Sequence, residues 1–87
     1  MQVGPVLAFY YSPWCSHCNS FVPVWSRLEQ ILLGSQISTV KIDIAETRDV
    51  NPHFEKVPTI VLTKNGRPLE FLGERTLDNI LSFIQHN

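Results

Sequence analysis

The chain has 87 residues, enough for one small domain with a modest core. Its apolar share is 44%, and seven Lys and Arg stand against eight Asp and Glu, a net charge of -1. That balance supplies no basic face for nucleic acid and no acidic block of the kind that stays disordered, and no apolar run approaches the ~20 residues of a membrane span.

Met1-Gln2-Val3-Gly4-Pro5 carries no Lys or Arg ahead of the first apolar run and no small-residue cleavage site. No signal peptide is expected, which points to a cytoplasmic location, although a trimmed mature form in an oxidising compartment would read the same. Val6-Leu7-Ala8-Phe9-Tyr10-Tyr11 is a continuous apolar run, too short for an ordinary helix and rich in aromatics. It predicts a buried strand, broken by Ser12-Pro13.

A helix is expected to begin near Cys15. Cys18, Phe21 or Val22, Trp25, Leu28 and Leu32 fall on one stripe at helical spacing, while Ser20, Arg27 and Gln30 fall elsewhere. Pro23 lies inside this helix and is expected to kink it, and Gly34-Ser35 ends it. From Ile37 to Ile44 the pattern alternates, with Val40, Ile42 and Ile44 set against Thr39, Lys41 and Asp43, as in a half-buried strand. Ala45 to Glu55 is polar and contains Asn51-Pro52, which suggests a short helix or turn.

Thr59 to Thr63 predicts another strand, Lys64-Asn65-Gly66-Arg67 a hairpin turn, and Pro68 to Leu72 the antiparallel return. Thr76 suits an N-cap with Asp78 in the first turn, and Leu77, Ile80, Leu81 and Ile84 give the apolar face of a closing helix. The order implies a single α/β domain over residues 1–87. Its sheet is mixed and four-stranded, with a right-handed parallel crossover between the first two strands, an antiparallel final pair and helices on both faces.

The chemistry concentrates in Trp14-Cys15-Ser16-His17-Cys18, where a strand ends and a helix opens. The chain has only these two cysteines, and a bridge across so short a loop removes little unfolded-chain entropy, so the pair is better placed for redox chemistry than for stapling. Cys15 at a helix N-terminus meets free N–H groups and the positive end of the dipole, an effect worth up to ~2 kcal/mol for an anion, and a protonated His17 adds to it. Cys15 is then the nucleophile that forms a mixed disulfide, and Cys18, one turn deeper, is the resolving thiol. A structural zinc or iron site is the competing reading. It lacks a second ligand pair at metal spacing, because His53 and His86 are remote, so no metal and no cofactor are expected.

These residues resemble the thioredoxin superfamily and, within it, the catalytic domains of protein disulfide isomerases. Tyr10 to Cys18 is similar to the isomerase active-site run, with Ser16 where Gly is usual. Val40-Lys41-Ile42-Asp43, Val57-Pro58-Thr59, Asn65-Gly66 and Gly73-Glu74-Arg75-Thr76-Leu77-Asp78 resemble the later segments of such a domain in order. The resemblance implies a thioredoxin-like fold reduced to a glutaredoxin-size core, without the N-terminal strand and helix, so that the Ile37–Ile44 strand becomes a sheet edge open to pairing or docking.

It also implies that Pro58 follows a cis bond, although only ~5% of X–Pro bonds are cis in general. The Val57 backbone would then bind extended substrate beside Trp14. Arg75 would be a mobile arginine that approaches Cys18, and Lys41 would point toward the site from below. Phe9 stands where the family usually carries a buried carboxylate that moves the proton of the second cysteine, which implies slow resolution by Cys18 or a proton route through water, His17 or Arg75. The partners implied are protein disulfides or dithiols, with glutathione or a reductase or oxidase partner to recharge the pair. Two other readings stay open on the residues: a glutathione-dependent, glutaredoxin-like reductase, and a redox-linked binding module.

Overall fold

The computed structural model describes residues 4–45 and 56–87. Its elements in chain order are β1 (Val6–Tyr11), α1 (Ser16–Leu32), β2 (Ser38–Asp43), β3 (Thr59–Lys64), β4 (Arg67–Glu70) and α2 (Leu77–His86). The expected short helix or turn over Ala45–Glu55 falls almost wholly on residues 46–55, outside the described residues.

The strands form one mixed sheet in the order β2-β1-β3-β4. β1 runs parallel to β2, as a helical crossover between them requires, and antiparallel to β3, with Phe9 opposite Lys41 on one side and Ile60 on the other. β3 and β4 are joined by a tight hairpin in which Asn65 (φ 53°) and Gly66 (φ 77°) both take positive φ. This is the pair of conformations a two-residue turn needs to follow the twist of its strands, and Asn-Gly adopts it at least cost.

Alternation along β1 and β3 divides the sheet into two faces. Leu7, Phe9, Ile60 and Leu62 point to one side and join the buried stripe of α1 (Cys18, Phe21, Trp25, Leu28, Leu32) and Ile80 of α2 in a single core. Both described helices therefore sit on this face. Ala8 and Val61, paired across β1 and β3, are buried on the other. Burying each large apolar side chain of this core contributes about 1.5–3 kcal/mol. Of the two candidates for the α1 stripe, Phe21 is the buried one and Val22 is only half-buried, because 18, 21, 25, 28 and 32 hold the tighter helical spacing. Phe83 joins the apolar face of α2, its ring 5.2 Å from that of Phe71.

Three boundaries and patterns differ from the sequence expectation. β2 ends one residue short at each end, and Val40 is 39% exposed where its alternation predicted a half-buried face. The reason is position: β2 is the outermost strand, paired on one side only. β4 begins at Arg67 and ends at Glu70, although Phe71 N–H still donates to the Ile60 carbonyl at 2.8 Å. The α1 helix runs through Pro23, whose missing N–H leaves the Asn19 carbonyl without its usual intrahelical donor, and stops where Gly34 turns to φ 81°.

Leu28 is fully buried and Leu33 is 73% exposed, so the two leucines give a direct contrast. Leu28→Ala is expected to cost about 2–5 kcal/mol and Leu33→Ala within about 0.5 kcal/mol, read as midpoint shifts in urea unfolding at constant m-value.

Candidate redox site

The site forms where β1 runs out. Ser12 accepts the Cys15 N–H on its carbonyl at 3.1 Å and the Trp14 N–H on its hydroxyl at 3.3 Å, which turns the chain from strand into helix. Cys15 then occupies the N-cap of α1 with extended backbone (φ -90°, ψ 112°). Its Sγ accepts the Cys18 N–H at 3.1 Å, so a thiol takes the place of the usual Ser or Asp cap. A thiolate would serve better than a thiol there, because it adds a full charge to a position that collects otherwise unpaired N–H groups.

Cys15 is half-buried and Cys18 is fully buried, and both are free thiols. The Cys18 thiol is pushed up to about 11, first by burial, then by its hydrogen bond with Cys15 and the charge there. A backbone hydrogen bond from Ser12 and the positive charge of Arg75 pull the other way. The two sulfurs thus have opposed surroundings. One is capped by N–H groups at a helix end, and the other is sunk in the core beneath it.

The remaining residues singled out in the sequence fall around this pair to different degrees. The Val57–Pro58 bond is cis and directly precedes Thr59, which pairs with Tyr10 at the same end of the sheet as Cys15. Thr59 is itself buried and its hydroxyl donates to the Lys56 carbonyl, which ties the loop down. Trp14 is 83% exposed, because the turn that starts α1 projects it outward. Lys41 is exposed and places its Nζ 4.8 Å from the centre of the Tyr11 ring.

His17 and Arg75 meet in a cleft of about 280 Å³ that Ser20, Phe21, Val24 and Glu74 complete. Sequence reasoning did not single out Ser20, Val24 or Glu74. The available signal was the spacing 17, 20, 21, 24, which is one face of a helix set against the loop before α2. Among the described residues no three of His, Cys, Asp and Glu gather as a metal site, and His53 lies outside them.

A strand-fed helix with a cysteine at its N-cap, a second cysteine one turn deeper and a cis-proline loop at the same sheet end define a thioredoxin-type redox domain. The thioredoxin family model matches residues 1–86, and the chain belongs to that family. Its relatives include protein disulfide-isomerase of Saccharomyces cerevisiae, 34% identical over 87 residues, and protein disulfide-isomerase 1 of Caenorhabditis elegans, 33% identical over 84. The alignments cover 94% and 92% of this chain but 17% of each relative, so the chain spans about a sixth of their length. The first thioredoxin domain of mouse protein disulfide-isomerase A4 superposes with a TM-score of 0.82 at 29% identity, over 94% of this chain and 61% of that one. Human ERp44 in its zinc-bound form shares the fold, with a TM-score of 0.85 at 19% identity over 97% of this chain and 27% of its own.

The raised Cys18 thiol links pH to stability. Between about pH 9 and 11 the folded chain keeps a proton that the unfolded chain has lost, so Cys18 contributes stability that is full below pH 9 and fades as pH rises through 11. Urea unfolding of the reduced protein across that window is expected to show a steeper alkaline loss than the Cys18→Ala variant, which lacks the titrating group.

Proposed function

We propose that this domain is a protein thiol–disulfide oxidoreductase working through the Cys15–Cys18 pair. The observation that carries the proposal is the N-cap hydrogen bond, in which Cys18 N–H donates to Cys15 Sγ at the exposed end of a helix seated on the core. It holds the first sulfur at a helix end where N–H groups converge, while the second lies one turn below.

In the reducing direction, the Cys15 thiolate attacks one sulfur of a substrate disulfide. A Cys15–substrate disulfide forms, and the other substrate sulfur leaves as a thiolate and takes a proton from water. Cys18 then loses its proton and attacks Cys15 Sγ, closing the Cys15–Cys18 disulfide and releasing the second substrate thiolate. The domain gives up two electrons and the substrate gains them. The reverse sequence oxidises a substrate dithiol.

The Val57 backbone, just before the cis bond to Pro58, is the surface on which an extended substrate segment would lie, and Trp14 is exposed where α1 begins. Arg75 favours the Cys18 thiolate by its charge, and His17 stands between the cysteines, where its protonated form favours the reduced state and makes the disulfide more oxidising. Protein disulfides and dithiols are the proposed substrates, with glutathione or a dedicated oxidase or reductase restoring the pair.

The test is the reduction potential of the Cys15–Cys18 pair in glutathione buffers, read by thiol alkylation with Cys18→Ser as control. The expected value lies near about -180 mV, as for an oxidant or isomerase. A value near about -270 mV would make the domain a reductant and remove His17 as the group that sets the poise. Cys15→Ser is expected to abolish disulfide exchange altogether; exchange that persisted through Cys18 alone would overturn the assignment of the nucleophile.

A further inference from the structure

The two edges of the sheet are protected differently. On β4, Phe71 donates inward to the Ile60 carbonyl, so by alternation Arg67 and Leu69 also face β3 while Pro68 and Glu70 face outward. Pro68 has no N–H to offer, and a strand arriving at that edge meets a gap in the ladder. The β2 edge has no such block, because its residues Ser38-Thr39-Val40-Lys41-Ile42-Asp43 include no proline. Ser38 and Ile44 donate inward to the Pro5 and Tyr11 carbonyls, which turns the N–H and C=O groups of Thr39, Lys41 and Asp43 away from β1. Among the described residues no strand lies on that side.

The same alternation sorts the side chains of β2. Lys41 and Asp43 stand on the helix face with their β1 partners Phe9 and Tyr11, and Val40 and Ile42 stand on the other face with Ala8 and Tyr10. Val40 is 39% exposed, and Lys41 is exposed with its Nζ 4.8 Å from the centre of the Tyr11 ring. The Asp43 Oδ1 accepts the Ala45 N–H at 2.9 Å, and a carboxylate keeps further lone pairs for a cation. One side of this edge therefore carries a cation and an anion two residues apart, and the other side carries an apolar pair.

We propose that β2 is a self-association edge, on which a second copy of this chain lays its own β2 antiparallel about a two-fold axis through Ile42. A closed pair of identical edge strands runs antiparallel, and outward-facing residues must then oppose outward-facing ones. Few registers satisfy this. With Lys41 on the axis, two ammonium groups face each other, which disfavours the pair. With Val40 on the axis, Lys41 faces Thr39 and Asp43 faces Ile37. With Ile42 on the axis, Lys41 of each copy faces Asp43 of the other, Ile42 meets Ile42, and Val40 meets Ile44 of the second copy. Of these three, only the last pairs both charges and keeps the apolar side chains together. It adds about four backbone hydrogen bonds between the strands.

Pairing of this kind joins two sheets into one and closes the edge that β1 leaves open. Because β2 runs parallel to β1, and Cys15 lies just beyond the end of β1, antiparallel docking sets the two Cys15 sites at opposite ends of the joined sheet. Both stay open to a client, and the inference stands apart from the redox reading.

The test is sedimentation equilibrium of the full 87-residue chain under reducing conditions, from about 10 µM to about 1 mM. A dimer with Kd on the order of 100 µM is expected, because so short a strand pair buries less than a standard interface. Lys41→Asp sets like charges face to face and is expected to raise Kd at least about tenfold, and adding Asp43→Lys is expected to bring it back to within about threefold. The register is read by cross-linking in a Cys15→Ser, Cys18→Ser background. Ile42→Cys is expected to form an intermolecular disulfide, since opposed residues at a non-hydrogen-bonded position lie about 4.5 Å apart at Cα, and Val40→Cys is not. A chain that stays monomeric at every concentration would overturn the inference and leave the edge to a strand of some other protein. A Kd indifferent to Lys41→Asp, or cross-linking through Val40→Cys in place of Ile42→Cys, would overturn it too. Should Lys41→Asp disturb the fold, the Ile42→Cys cross-link decides the matter alone.

Discussion

The seat of α1 on the β1–β3 face is the constraint on which the rest depends. Phe9, Ile60 and Leu62 from the sheet meet Phe21, Trp25 and Leu28 from the helix in one closely packed layer. Rings such as Phe9 and Phe21, 5.0 Å apart at 74°, interlock edge to face and tolerate little sliding. Because the helix cannot slide, its N-terminus stays above the end of β1, and Cys15 is held where Cys18 N–H can donate to its sulfur. The same packing draws Cys18 into the core.

One helix therefore produces two unlike thiols from two identical side chains. Cys15 gains from the unpaired N–H groups of the first turn, an environment any helix N-terminus supplies. Cys18 loses solvent because it lies on the buried stripe, and desolvation weighs more on its thiolate than Ser12 and Arg75 return. The difference between a half-buried, N–H-capped sulfur and a fully buried one is a consequence of helical periodicity laid on a sheet.

Phe9 is the core position at which the central strand and the helix meet. As a fully buried ring it ties β1 to α1 and contributes to a core that a small domain can ill spare. A carboxylate there would bury a charge in the middle of the sheet.

Much of this was determined by the sequence alone. The apolar run of β1, the stripe of α1, the Asn65-Gly66 turn and the Thr76 cap are local patterns, each enforced by backbone sterics or helical spacing within a few residues, and each appears where expected. The Cys15–Cys18 spacing likewise fixed the pair one turn apart. What only the tertiary structure decided depends on contacts between distant segments. The exposure of Val40 follows from β2 having one neighbour, and the choice of Phe21 over Val22 follows from where the sheet lies. The burial that raises Cys18, the cleft joining His17 to Glu74 and Arg75, and the placing of the cis Val57–Pro58 bond at the same sheet end as Cys15 all require β1, β3 and the loop before α2 to converge. Periodicity states which face of an element is apolar, but desolvation and charge proximity exist only once those faces have met.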